Sequence, residues 1–317
     1  MNELKGIITQ IYERSKYNKN ISKQQIYDTI DKVLHIYIND RNAKDEILIS
    51  PLNIEILMNN QEEVLNLIKA GVDINSKDYN GNYPLELAIY LDNYDIAKIL
   101  IENGVNVNKD DYSIIDIYDP LLLASYYKNC EIVKLLVENG ANVNTIDSDG
   151  FNTLHYLLND DNTICNIVRS YCRYADKSYN KPSLKDILTT IDLLVKRGVD
   201  VNKLGGIIGD RRIYMNISPL AIALETSDEL IIEKLIQSGA KKEVVEVNPH
   251  VIYGYQDDIE FFKDILSLDF SLWTLGLKEY KQFIKYKKNI KKYDIEVYSA
   301  TMDDGYKRPK IIKRLQK

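Results

Sequence analysis

Only three cysteines and three histidines occur in 317 residues. So few thiols exclude a disulfide framework. His35, His155 and His250 stand at no spacing that joins a nucleophile or a metal without help from the fold. Cys165 and Cys172 follow His155, but their separation is not that of a zinc-binding pair, and Ile164, Ile167, Val168, Tyr171 and Cys172 read as one helical face. Cys130 occupies an apolar helical position and reads as core. No apolar run reaches the roughly 18 residues needed to cross a membrane. The first ten residues lack the apolar stretch and small-residue cleavage site of a secretory leader, so the expectation is an intracellular, cytoplasmic protein, with nuclear placement or non-classical export as alternatives. The glycine cluster Gly205-Gly206-Ile207-Ile208-Gly209 has no following Lys-Ser or Lys-Thr to hold a phosphate. These absences predict a protein that is not an enzyme, with no cofactor, no metal and no small-molecule substrate.

What the chain does have is internal repetition. Pro51, Pro84, Pro120 and Pro219 each stand twenty residues before a glycine: Gly71, Gly104, Gly140 and Gly239. The phrases Gly-Val-Asp-Ile-Asn at 71, Gly-Val-Asn-Val-Asn at 104, Gly-Ala-Asn-Val-Asn at 140 and Gly-Val-Asp-Val-Asn at 198 repeat with a weaker copy at 239. Successive glycines are 33, 36, 58 and 41 residues apart, which is a 33-residue period carrying inserts of 3, 25 and 8. Proline suits the first position of a helix because its missing N–H is not needed there, and glycine suits the residue after the last turn, where φ turns positive. Between them the apolar spacing predicts two short helices: Ile96, Ala97, Ile99, Leu100 and Ile101 in one repeat match Ile132, Val133, Leu135, Leu136 and Val137 in the next. Such a pair cannot bury its apolar face alone, so neighbours must stack.

The residues Tyr83-Pro84-Leu85-Glu86-Leu87-Ala88, Asp119-Pro120-Leu121-Leu122-Leu123-Ala124, Asn152-Thr153-Leu154-His155 and Ser218-Pro219-Leu220-Ala221-Ile222-Ala223 resemble the ankyrin repeat phrase T-P-L-H-x-A. The resemblance covers about residues 50 to 245. It implies an all-α fold class: an ankyrin-type helical repeat solenoid of paired antiparallel helices with β-hairpin-like turns and degenerate terminal units. The fourth repeat departs by placing Thr153 where proline is usual and by splitting its helices with the long insert, yet it alone keeps the histidine, His155. In the family that histidine bonds locally at the start of the first helix.

The expected organisation is an N-terminal helical cap over 1–49, a repeat array over 50–245 with a large insert at 159–185, a degenerate sixth repeat or end cap over 246–275, and a basic C-terminal helix and tail over 276–317. Ser22 with Gln25 three residues later is a capping-box pattern that opens a helix in the first of these. Residues 278–317 hold thirteen Lys or Arg against five Asp or Glu, a formal +8, while the whole chain carries −6. Lys278 to Lys292 alternate with Tyr280, Phe283, Ile284, Tyr286 and Ile290 in an expected helix from about Leu277 to Tyr293, and Lys307 to Lys317 form a short basic end.

Resemblance to the family further implies a partner protein held by the turn tips and by the inward side of each first helix. Transfer by register selects Tyr79 and Asn82 at one tip, Tyr90, Tyr126 and Tyr127 on first helices, Ile146, Ser148, Asp149 and Phe151 at a later tip, and Glu225. Tyrosine suits recognition because a stiff ring buries much area at little entropic cost. The expected function is therefore a protein-protein interaction scaffold. The alternative is binding of an anionic surface, nucleic acid or membrane, through Lys278–Lys317. The two inserts supply a second candidate surface, with Arg211 and Arg212 suited to an acidic partner.

Overall fold

The computed structural model describes residues 50–78, 83–108, 119–159, 182–209, 212–226, 228–245, 288–289, 291–303 and 307–314. The chain divides into two compact units, Met1–Asn142 with Arg169–Pro182, and Val143–Val168 with Ser183–Lys317.

Among the described residues the first unit holds three helix pairs: α1 (Pro51–Leu57) and α2 (Gln61–Lys69), α3 (Pro84–Tyr90) and α4 (Tyr94–Glu102), α5 (Pro120–Tyr126) and α6 (Cys130–Glu138). Each first helix opens on its proline. Ser50 and Asp119 cap two of them, the Asp119 carboxylate accepting from the N–H groups of Leu121 and Leu122. Each second helix opens on an asparagine, Asn60, Asn93 or Asn129, whose side chain accepts from an N–H three residues on. The residues just before these caps, Asn59, Asp92 and Lys128, take the left-handed conformation that folds one helix back on the other. Like packs on like: α1 on α3 and α3 on α5, α2 on α4 and α4 on α6. Leu52, Leu85 and Leu121 occupy the same place in successive layers, each at most 2% exposed. Burying one such side chain contributes about 1.5–3 kcal/mol.

The second unit continues the pattern with inserts. It contains α7 (Thr153–Leu158), α8 (Leu184–Lys196), α9 (Pro219–Thr226) and α10 (Glu229–Gln237), with α9 packed on α7 and α10 on α8. Leu154 and Leu220 are buried in the position of Leu85. The later insert, eight residues beyond the 33-residue period, lies in an antiparallel hairpin, β1 (Gly205–Gly209) with β2 (Arg212–Ile217), and a parallel–antiparallel sheet in the order β3 (Glu243–Val245), β4 (Glu296–Asp303), β5 (Lys307–Arg314) follows α10.

The fold is a helical repeat, as the spacing predicts, with these two small sheets added to what was expected to be all-α. The basic end expected as a tail is strand β5, paired with β4 in a register broken by two irregularities. Of the expected helix at 277–293, residues 288–289 and 291–293 are described and all are helical; the others lie outside the described residues. The N-terminal cap, the degenerate sixth repeat and residues 160–181 of the long insert lie outside the described residues.

Candidate interaction site

The turns between repeats are tied together by one asparagine per repeat. Each repeated glycine is followed four positions later by Asn75, Asn108, Asn144 or Asn202. Within the first unit, Asn75 Oδ1 accepts from Asn106 N at 2.7 Å, and Asn108 accepts from Asn142 N while its amide donates to the Gly140 carbonyl at 3.0 Å. Within the second, Asn144 makes the same two bonds, to Asp200 N and Gly198 O, and Asn202 makes them to Lys241 N and Gly239 O. An amide side chain offers a donor and an acceptor together, so a single Asn satisfies both the carbonyl and the N–H of the next turn. Gly140, at φ 91°, shows why glycine precedes it: the chain leaves α6 through a conformation that costs other residues a Cβ clash.

One turn tip is built more elaborately than a plain connection. Ile146 pairs with Asn152 as an isolated bridge, closing the loop Asp147-Ser148-Asp149-Gly150-Phe151. Asp147 organises it: its Oδ1 accepts from Asp149 N at 3.0 Å and Phe151 N at 2.8 Å, and the Tyr156 hydroxyl donates to its Oδ2. Desolvation pushes the Asp147 carboxyl up to about 6, against the opposing pull of the Tyr156 and Phe151 hydrogen bonds. Desolvation also raises Asp149.

The loop holds the root of the β1–β2 arm. Asp149 O accepts from Gly206 N at 2.8 Å. The Phe151 ring lies so close to Gly205 that a Cβ there would sit 2.3 Å from Cδ1, so only glycine fits. The other strand is held by His155. Asn152 N donates to its Nδ1 at 3.1 Å, which leaves the proton on Nε2 to reach Ile217 O at 2.9 Å. Asn152 in turn caps α7 through Leu154 N and His155 N and donates its amide to Asp200 O. The imidazole is fully buried, and desolvation pushes it down to about 4, partly offset by the Ile217 bond. The expected local role of His155 at the helix start is what the geometry shows, and the same ring also reaches the insert.

The exposed apolar side chains nearby are Ile146 at 38% and Leu204 at 49%. The expected tyrosine stripe is different. Tyr90, Tyr126 and Tyr127 are buried, with Tyr127 edge-on to Tyr90 at 5.7 Å and to Tyr126 at 5.1 Å, and Phe151 is buried against Gly205 and His155. Every residue of α3, α5 and α7 is buried, and these rings pack against one another and against neighbouring layers. Tyr79 and Asn82 lie outside the described residues, as does the side chain of Glu225, whose backbone is in α9. Of the register-selected tip, Ile146 and Ser148 are exposed, whereas Asp149 is half-buried and serves the loop. The repeated asparagines were visible in the sequence at a fixed offset, and Asp147-Ser-Asp-Gly150 is a turn pattern in its own right. Leu204 carried no signal beyond standing next to a glycine.

Among the described residues no group of His, Cys, Asp and Glu could hold a metal ion, and no helix is long and apolar enough to cross a membrane.

Paired short helices, stacked like on like and joined by turns laced with asparagine, define a helical repeat protein. Residues 21–111 match the family model for ankyrin repeats in three copies, and residues 118–148 match that for the single ankyrin repeat. The first match begins at residue 21, inside the stretch that the spacing assigned to a cap. No curated protein matches the chain. Ankyrin repeats are in general protein-protein interaction modules, and proteins built from them are typically scaffolds rather than enzymes.

Proposed function

We propose that this protein is a non-enzymatic interaction scaffold whose second unit takes a partner protein on its turn tips, through Ile146, Ser148 and Leu204 beside the β1–β2 arm. The observation that carries this reading is the contrast in exposure: the first helices α3, α5 and α7 leave no side chain open, while Ile146 and Leu204 present apolar groups to solvent from turns fixed by hydrogen bonds. A contact surface that is already ordered loses little entropy on binding. The reading keeps the expected tips and the class of partner and leaves out the tyrosines of the first helices.

The test is capture from the native cell with the intact protein beside an Ile146→Asp, Leu204→Asp variant that retains its circular dichroism. Proteins lost from the variant alone support the reading. Equal capture by both overturns it.

A second reading, binding of an anionic surface by the C-terminal segment, is favoured by β5, which carries Lys307, Arg308, Lys310, Lys313 and Arg314 on the edge strand of its sheet. Against it, Lys288 and Lys292 already contact Glu229 and Glu233 of α10. Edge strands rich in lysine and interrupted by proline, as β5 is at Pro309, also serve simply to block edge-to-edge association. Binding of this kind falls steeply with salt, whereas tip binding persists.

A further inference from the structure

The asparagine ladder of the turns keeps a fixed register. In each rung the asparagine four places after one repeated glycine accepts from the N–H two places after the next: Asn75 from Asn106, Asn108 from Asn142, Asn144 from Asp200 and Asn202 from Lys241. Four places after Gly239 the sequence has Glu243, which has no amide to donate. There the link passes to the backbone, because Glu243 opens β3 and pairs in parallel with Glu296 of β4. In the register of the ladder, the residue two places before Glu296 holds the glycine position, and that residue is Asp294. Asp294 takes φ 51° directly after the helical residues 291–293, as Gly239 takes φ 94° after α10. The residue following the glycine is buried at Val105, Ala141, Val199 and Ala240, and Ile295 is buried too. Asp294 stands 55 positions after Gly239, the 33-residue period with 22 residues added.

The helical turn before Asp294 lies against α10. Lys292 Nζ sits between two carboxylates one turn apart, 2.6 Å from Glu229 and 3.2 Å from Glu233. Lys288 reaches Glu229 at 3.5 Å, and the Tyr293 hydroxyl donates to Glu233 at 2.8 Å. Asn289 is fully buried, so the turn is packed and not merely laid on the surface. The last unit of a stack has a single neighbour and needs a polar outer side, which the exposed Lys288 and Lys291 supply.

We propose that residues 288–298 are the closing half of a sixth repeat and act as a clasp on the end of the array, fastened by Lys292 between Glu229 and Glu233 and continued by β4 in the register of the ladder. The sixth repeat expected over 246–275 stops short of this segment. The clasp depends on charge. Without the Lys292 cation, Glu229 and Glu233 repel each other at i, i+4 and the turn loses its hold on α10. Pairing over three residues does not keep β4 on β3 unaided, so the last rung opens with it. Earlier repeats stay stacked, because each is coupled only to its neighbours. The clasp stands independently of where a partner binds.

The experiment is amide hydrogen exchange in the full chain, comparing residues 243–245 and 296–298 with α3 and α5. Lys292→Glu should lower protection in both strand segments about tenfold and leave the two helices unchanged. Adding Glu229→Lys and Glu233→Lys to Lys292→Glu should restore it, since the pairs return with their signs exchanged. Unchanged protection in Lys292→Glu overturns the clasp, as does a loss that the exchanged pairs fail to recover. The register is tested by mild oxidation of two double variants: Glu243→Cys with Glu296→Cys should form a disulfide, and Glu243→Cys with Tyr298→Cys should not. A bond through 298 and not 296, or through neither, overturns the placing of Asp294 at the glycine position. Should Lys292→Glu fail to fold, the cysteine pairs decide.

Discussion

The Nε2 of His155 lies 2.9 Å from the carbonyl oxygen of Ile217, a residue 62 positions later in the chain. That one bond joins the start of α7 to the end of β2, immediately before Ser218 and Pro219 open α9. It is made by a neutral ring with no exposed surface. His155→Ala should leave a buried carbonyl and the Asn152 N–H without partners and open a cavity, at a cost of about 2–4 kcal/mol. Urea denaturation measures it; a loss under about 0.5 kcal/mol would show that the bond is dispensable.

Stability against pH should reveal two opposed titrations. His155 sits at about 4 in the fold against an ordinary 6.5, so the unfolded chain binds more protons between these values and stability falls as pH drops through that window. Asp147 sits at about 6 against 3.8, so the folded chain binds more protons and stability rises as pH drops from about 6 to 3.8. The windows overlap and the slopes oppose, so the two residues together contribute little net slope. Asp147→Asn should unmask the histidine, giving a protein that loses on the order of 2 kcal/mol more than the wild type between pH 6.5 and pH 4. Thermal unfolding across that range checks it, and parallel curves for the two proteins would contradict it.

Gly205 should not tolerate even a methyl group. Alanine there meets the Phe151 ring at 2.3 Å, and relief requires the arm or the ring to shift. The expected loss is about 1–3 kcal/mol, and it should shrink in a Phe151→Leu background because the two changes share one space. Equal losses in both backgrounds would place the strain elsewhere.

Each asparagine of the turn ladder should matter by a similar amount. Asn108→Ala removes a donor to Gly140 O and an acceptor for Asn142 N in a solvent-accessible setting. A cost of about 1–2 kcal/mol is expected, and Asn108→Asp should recover part of it, since the carboxylate keeps the acceptor and loses the donor. Indistinguishable stabilities for the three proteins in a denaturant titration would sink this account of the turns.

Much of the fold was legible because it rests on local chemistry. Prolines at helix starts, glycines after helix ends and the caps Asp119 and Asn152 are signals of the backbone itself, and a 33-residue spacing repeats them. The layered leucines follow from that register. The site was less legible. Tyr90, Tyr126 and Tyr127 have the chemistry of contact residues, but identity does not reveal whether a ring meets solvent, and their helices are buried throughout. The β1–β2 arm read as a glycine-bearing insert, although Arg212-Ile213-Tyr214-Met215-Asn216-Ile217 alternates with a strand's period. The C-terminal basic run read as a short basic end because charge dominates its composition, and Lys307–Arg314 pairs with β4 as an edge strand, where lysine and arginine are at home.

On the proposed reading, partner contact lies on the turn tips of the second unit and not on the tyrosines. The most direct measurement is the affinity of a captured partner for two single variants with unchanged melting temperatures, Leu204→Asp and Tyr127→Phe. The account predicts at least a tenfold loss for Leu204→Asp and wild-type binding for Tyr127→Phe. Full binding by Leu204→Asp, with loss in Tyr127→Phe, would contradict it.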